Sequence, residues 1–192
     1  MLGANSNLDQ EGITVMTIQA ITTPIATFAD GEKAATGQLY AAVGNPEDGM
    51  FASFPVDTVA LATTYGIAVE RVRFDDKTTV AVLVKDVDED AKILISKSVH
   101  KNADIRLICA VEIGRVFENM GEARFGMVEH EGVFCGRGVS DFARGFADGL
   151  LMPASVIRSM YADGKSIGKI ARTLGVSKDD IFLRLARLGL AG

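Results

Sequence analysis

NADIRLICAVEIGRVFEN, residues 102–119, is the stretch around which the rest of this chain must be arranged. Ile105, Leu107, Ile108, Cys109, Ala110, Val111, Ile113, Val116 and Phe117 leave little polar surface on any side of a helix. A helix apolar nearly all round lies inside a domain, not on its surface. Glu112 and Arg115 interrupt it, three residues apart and so on one face.

Working outward, three short β-prone runs precede this helix. Residues 68–74 alternate Val69 and Val72 with charged neighbours, residues 79–85 form an unbroken β-branched run, and KILISK (92–97) is a third. With the acidic turn DVDEDA (86–91) between the last two, these predict an antiparallel meander. Before them, PVDTVALATTYG (55–66) predicts a helix opened by Pro55, with Val56, Val59, Ala60 and Ala62 on or near one face and Gly66 as its stop. GNPEDGMFASFP (44–55) reads as a loop, and residues 32–43 as a helix with Asp30 as N-cap. The first 29 residues are polar, Thr-rich and aperiodic, and are expected to form a flexible arm.

Downstream, residues 120–138 are Gly-rich and predict a long loop carrying His130 and Cys135, and a helix over 139–151 is stopped by Pro153. The C-terminal run begins with a short helix over 154–161 and continues as SIGKIARTLGVSKDDIFLRLARLGL (166–190). Ile167, Ile170, Ala171 and Leu174 have helical spacing, Gly175 makes a tight turn, and Ser177 caps a helix carrying Ile181, Leu185 and Leu188. That pattern is a helix-turn-helix signature. The fold class expected is α+β: an arm at 1–29, a domain at 30–152 with a small antiparallel sheet packed on helices, and a helix-turn-helix-like unit at 153–192.

Charge divides the chain the same way. Residues 153–192 hold seven Lys/Arg against three Asp, a net of +4, leaving 13 positive and 22 negative charges, a net of -9, in residues 1–152. The basic part is the candidate for nucleic acid. No apolar run reaches membrane-spanning length and the start lacks a signal-peptide pattern, so a cytoplasmic protein without a membrane partner is expected. Two cysteines in such a chain predict reduced core thiols.

Taken in order, these strings resemble the ImmA/IrrE family of gluzincin-like metallopeptidases over roughly residues 32–190. PVDTVALATTYGIAV (55–69) is similar to the family's lead-in, and SDFARGFADGLLMP (140–153) to the helix that follows its HExxH helix. The ending RLARLGL (184–190) fits its terminal unit. IRLICAVEIGRVF (105–117) stands where the HExxH helix belongs, matching by position and hydrophobic pattern.

The resemblance implies a zinc site, and the chain departs from it. Aligning Glu112 with the family's catalytic glutamate puts Val111 and Arg115 at the two histidine positions, and Ser140 at the third ligand position, with Asp141 one residue late. Valine donates nothing and guanidinium repels a metal, so no metal or other cofactor is expected there. A lone buried carboxylate is costly, so Arg115 is expected to take the cation's place beside a buried Glu112, with Asp141 brought close by the family's scaffold.

Other candidates read plainly. His100 is expected in a solvated loop, and His130 beside Glu129, Glu131 and Cys135 offers a weak metal pattern, outweighed by ordinary loop placement. Cys109 and Cys135 are expected to be core thiols and not nucleophiles. The run 86–90 lacks the glycine and terminal glutamate of an EF-hand.

In the C-terminal unit, Lys165, Lys169, Arg172, Lys178, Arg184 and Arg187 are the residues that would contact DNA, whereas Asp179 and Asp180 oppose phosphate at the start of the second helix. A structural closing unit is the preferred reading. The function expected is a non-catalytic regulatory protein on a metallopeptidase-like scaffold, of phage or mobile-element origin, binding a protein partner such as a repressor. A DNA-binding regulator and a peptidase with a non-standard site are the alternatives.

Overall fold

The structure is a computed structural model that describes residues 26–43, 54–84, 90–118, 128–131 and 139–190. The expected arm, the loop at 44–53, the acidic turn and most of the 120–138 segment, with Cys135, lie largely or wholly outside these residues. The element order is α1 (Phe28–Val43), α2 (Thr58–Thr64), β1 (Ala68–Val72), β2 (Thr79–Val84), β3 (Lys92–Ser96), α3 (Asn102–Glu118), β4 (Val128–Glu131), α4 (Asp141–Leu151), α5 (Ala154–Ala162), α6 (Ile167–Leu174) and α7 (Lys178–Arg187). The fold is α+β.

The strands lie where expected, but the meander does not form. The sheet order is β1-β3-β2-β4, β1 pairs β3 in parallel (Ala68 beside Lys92, Val72 beside Ser96), and only the β2–β3 and β2–β4 pairs are antiparallel. Burial explains the order. TVAVLV and KILIS, apolar enough to be covered, hold the two interior positions, while AVERV, half exposed, takes an edge. β4 arises from the segment expected to be a loop, with the His130 backbone beside Ala81.

Two helix starts also differ. Thr27 and Asp30 form a reciprocal cap: the Asp30 amide donates to the Thr27 hydroxyl (3.3 Å), and the Asp30 carboxylate accepts from the Thr27 amide (2.9 Å) and hydroxyl (2.7 Å). Asp30 is therefore the third helical residue, and α1 begins inside the expected arm. α2 begins at Thr58 with Asp57 as its N-cap, and buries Thr58, Leu61 and Ala62 while Val59 and Ala60 face solvent.

α3 is the inner helix its composition predicts, with all residues from Leu107 to Arg115 buried. α4 packs on it and on α1. Gly31, Ala35 and Leu39, four residues apart, turn inward on α1, and Gly145 and Gly149, four residues apart, answer on α4. The helices meet almost backbone to backbone. A methyl on Gly31 would overlap the Phe142 carbonyl, one on Gly145 the Phe28 carbonyl, and one on Gly149 would lie 3.0 Å from Ala35 Cβ. The buried cluster continues without a break into Ile170, Leu174, Ile181 and Leu185 of the C-terminal helices. Among the described residues no helix is long and apolar enough to cross a membrane.

These glycines make opposite predictions. Alanine is the better helix former by about 1 kcal/mol. Gly37→Ala, with open space around it, should therefore stabilise the protein. Gly31→Ala and Gly145→Ala should instead destabilise it by about 1–3 kcal/mol or more through overpacking against backbone that cannot yield. Urea unfolding of the three variants checks the sign of each.

Candidate functional site

The middle of α3 holds the first candidate. Glu112 is 1% exposed and Arg115 9%, and Arg115 Nη1 lies 3.4 Å from Glu112 Oε2. Val111 fills apolar volume beside them at 8% exposure. The i, i+3 spacing permits the pair, and burial makes it consequential, because a guanidinium and a carboxylate both out of water need each other. The thiol of Cys109, also in this helix, is pushed up to about 12, chiefly by burial and further by the Glu112 and Asp57 carboxylates. A thiol held protonated at neutral pH is a poor nucleophile.

The expected partners from α4 are not brought to this pair. Gly114 is one of the residues of α3 that face α4, with Phe117 stacked on Phe146: a methyl on Gly114 would lie 2.9 Å from Phe146 Cβ and 3.1 Å from Ala143 Cα. A helix turns about 100° per residue, so Glu112, two positions earlier, points roughly 160° away from that contact. Ser140 is the N-cap of α4, accepting from the Ala143 amide at 3.1 Å, and its hydroxyl donates to Glu118 at the end of α3. Asp141 opens α4 exposed to solvent, outside the Glu112–Arg115 pair. The expectation that Asp141 would join a buried triad is thus corrected, because the glycine contact fixes which face of α3 meets α4.

A zinc ion does not fit this arrangement. Val111 has no donor atom, Arg115 places a cation beside the buried Glu112 carboxylate, and Ser140 spends its hydroxyl on the cap and on Glu118. Among the described residues no three His, Cys, Asp or Glu side chains are grouped to hold a metal. His100 is exposed just before α3.

The C-terminal run holds three helices, α5, α6 and α7. Ser166 caps α6, Gly175 closes it in the left-handed conformation (φ 67°), and Ser177 caps α7 in a capping box completed by Asp180. Of the six cations proposed to meet DNA, Lys165, Lys169, Arg172 and Lys178 are exposed. Arg184 is not available to DNA. It is 1% exposed, its Nε donates to the Met152 carbonyl at 3.0 Å, and its guanidinium pairs with Glu32 of α1 and, at 3.8 Å, with Asp148 of α4. Arg187 pairs with the same Asp148 and lies over the Phe28 ring, 5.5 Å from its centroid.

Asp148 is the hub of this cluster, buried at 2% exposure. Burial pushes its carboxyl above the usual range, and Arg187 and Arg184 oppose that shift. Asp148 and Glu32 were not singled out in the sequence. The available signal was one charge within the apolar helix FADGLLM, a position that demands a buried partner. Neither the protein-family models nor the curated proteins searched match this chain.

Removing one partner of a buried pair costs about 3–5 kcal/mol, since the other charge is left uncompensated. Arg184→Ala and Arg115→Ala should each destabilise the protein by that order. Lys165→Ala and Lys169→Ala, both at exposed positions, should stay within about 0.5 kcal/mol. Thermal unfolding of the four variants separates the buried cations from the solvated ones.

Proposed function

We propose that this chain is a non-catalytic regulatory protein on a metallopeptidase-like scaffold. In this reading it is of phage or mobile-element type, acts in the cytoplasm, and binds a protein partner such as a repressor. The observation that carries the reading is the buried Glu112–Arg115 pair. In the ImmA/IrrE-like alignment Glu112 takes the place of the general base and Arg115 that of a zinc ligand. A general base must reach the metal-bound water with a free carboxylate oxygen. A buried carboxylate paired with a guanidinium fits a structural role, because the positive charge that steadies it is covalently part of the helix. What such a scaffold keeps is a shaped surface on which a partner can be held without being cut.

Metal analysis of protein purified without chelators tests this. The expected content is far below one equivalent of zinc; about one zinc per chain would overturn the reading, since a bound metal needs ligands that this alignment lacks.

A DNA-binding regulator is the second reading, favoured by the four exposed cations Lys165, Lys169, Arg172 and Lys178 on one unit. Arg184 and Arg187 weaken it, being engaged with Asp148 and Glu32. Binding to duplex DNA is expected to be weak, independent of sequence, and to fall steeply with salt as phosphate contacts are screened. Filter binding that shows one preferred sequence at physiological salt would reverse the order of the two readings.

A further inference from the structure

We propose that the outward face of α7 is a docking surface for an acidic amphipathic helix of a protein partner. The site does not involve α3, so it stands or falls separately from the reading of Glu112.

α7 has two unlike sides. Asp180, Ile181, Arg184 and Leu185 turn inward, into the cap, the core and the buried ion cluster. Lys178, Asp179, Phe182, Leu183 and Ala186 turn outward and are exposed. Phe182 is 58% exposed and Leu183 46%, the two most exposed large hydrophobic side chains among the described residues. Side by side in one helix, they hold an apolar surface that a partner would remove from water. Asp179, Phe182, Leu183 and Ala186 follow the i, i+3, i+4, i+7 spacing along which a second helix packs, and Ala186 leaves room for close approach.

The charges around this strip select the partner. Lys178, one turn before Phe182, lays its stem over α6, with Cε 3.3 Å from where a Gly168 methyl would stand. Lys169 and Arg172 of the same α6 are exposed, as is Lys165 just before it. Arg187, one turn after Leu183, keeps 36% of its side chain exposed while pairing with Asp148. Among the described residues from Pro153 onward, the exposed carboxylates are Asp163 and Asp179. The strip therefore has an apolar centre and a rim that is positive on balance, which complements apolar residues on one helix face flanked by Asp and Glu.

The same pattern disfavours the other occupants. A second copy of this face would set one basic rim against another. Nucleic acid would meet Phe182 and Leu183 where base edges need hydrogen-bond donors and acceptors, and Asp179 where phosphate needs a cation.

The test uses the full chain and fluorescence anisotropy. The probe is a labelled synthetic helix of about 16 residues, with Leu and Phe at i, i+3, i+4 and i+7 and Glu at most remaining positions. Its Glu-to-Lys counterpart and an unlabelled random duplex of about 20 base pairs serve as controls. At about 100 mM salt the acidic helix is expected to bind at least about tenfold more tightly than the lysine version. Phe182→Ser with Leu183→Ser should weaken binding by at least about tenfold, and Lys169→Glu with Lys178→Glu should weaken it and flatten its salt dependence. All four positions are exposed, and circular dichroism checks that the variants remain folded. Failure of the acidic helix to bind, equal binding of the two peptides, or unchanged affinity in the Ser variant overturns the proposal. A duplex that displaces the peptide at lower concentration assigns the face to nucleic acid instead. Self-association abolished in the Ser variant assigns it to a second copy.

Discussion

The contact between α1 and α4 is the constraint from which much of this structure follows. Gly31 and Gly145 bring the two helix backbones to a separation that no side chain would allow, with Gly149 and Ala35 continuing the seam one turn further. Packing at that distance gains dispersion contacts along the whole helix and leaves no water between them. It also fixes α4 in place. With α4 held, the point where α3 passes closest to Phe146 Cβ and Ala143 needs a residue without a side chain, and Gly114 provides it. The rotation of α3 about its own axis is thereby set, and with it the direction in which Glu112 and Arg115 point.

The C-terminal unit is secured by a different force. Arg184 runs from α7 to a free carbonyl at the end of α4 and to carboxylates on α1 and α4, and Arg187 meets the same Asp148 from the surface. Burying these charges is unfavourable for each alone and acceptable only together. A cluster of this kind penalises any docking of the unit that leaves one member unpaired, so it specifies position more than it adds net stability. Two arginines that would be obvious DNA contacts in a free helix-turn-helix are thereby used to hold the unit in place. The outer side of α7 is left with Phe182 and Leu183.

Within α3 a buried carboxylate also has a cation beside it. Where a metal-dependent site would need donors converging on a cation, the helix carries its own cation three residues from its own carboxylate. This contact lies within one helix, and the α4 N-terminus closes on itself through Ser140 and on Glu118.

Local chemistry was legible in the sequence. The positions of the helices and of three strands, the burial of α3, the Gly175 turn and the Ser177 cap all depend on residues within a few places of one another, and their patterns are read directly. The Glu112–Arg115 juxtaposition belongs here too, since a helix places residues three apart on one side whatever surrounds it. Three features were not legible. Strand order depends on which strand is covered, so β3 sits between β1 and β2 although the chain reaches β2 first. The reach of Asp141 depended on the rotation of α3, which Gly114, Ala143 and Phe146 decide from distant positions in the chain. Arg184 and Lys178 look alike as charges in one helix, yet one is buried and the other solvated. The difference lies in Glu32 and Asp148, which are 152 and 36 positions from Arg184 along the chain and adjacent to it only in the folded protein.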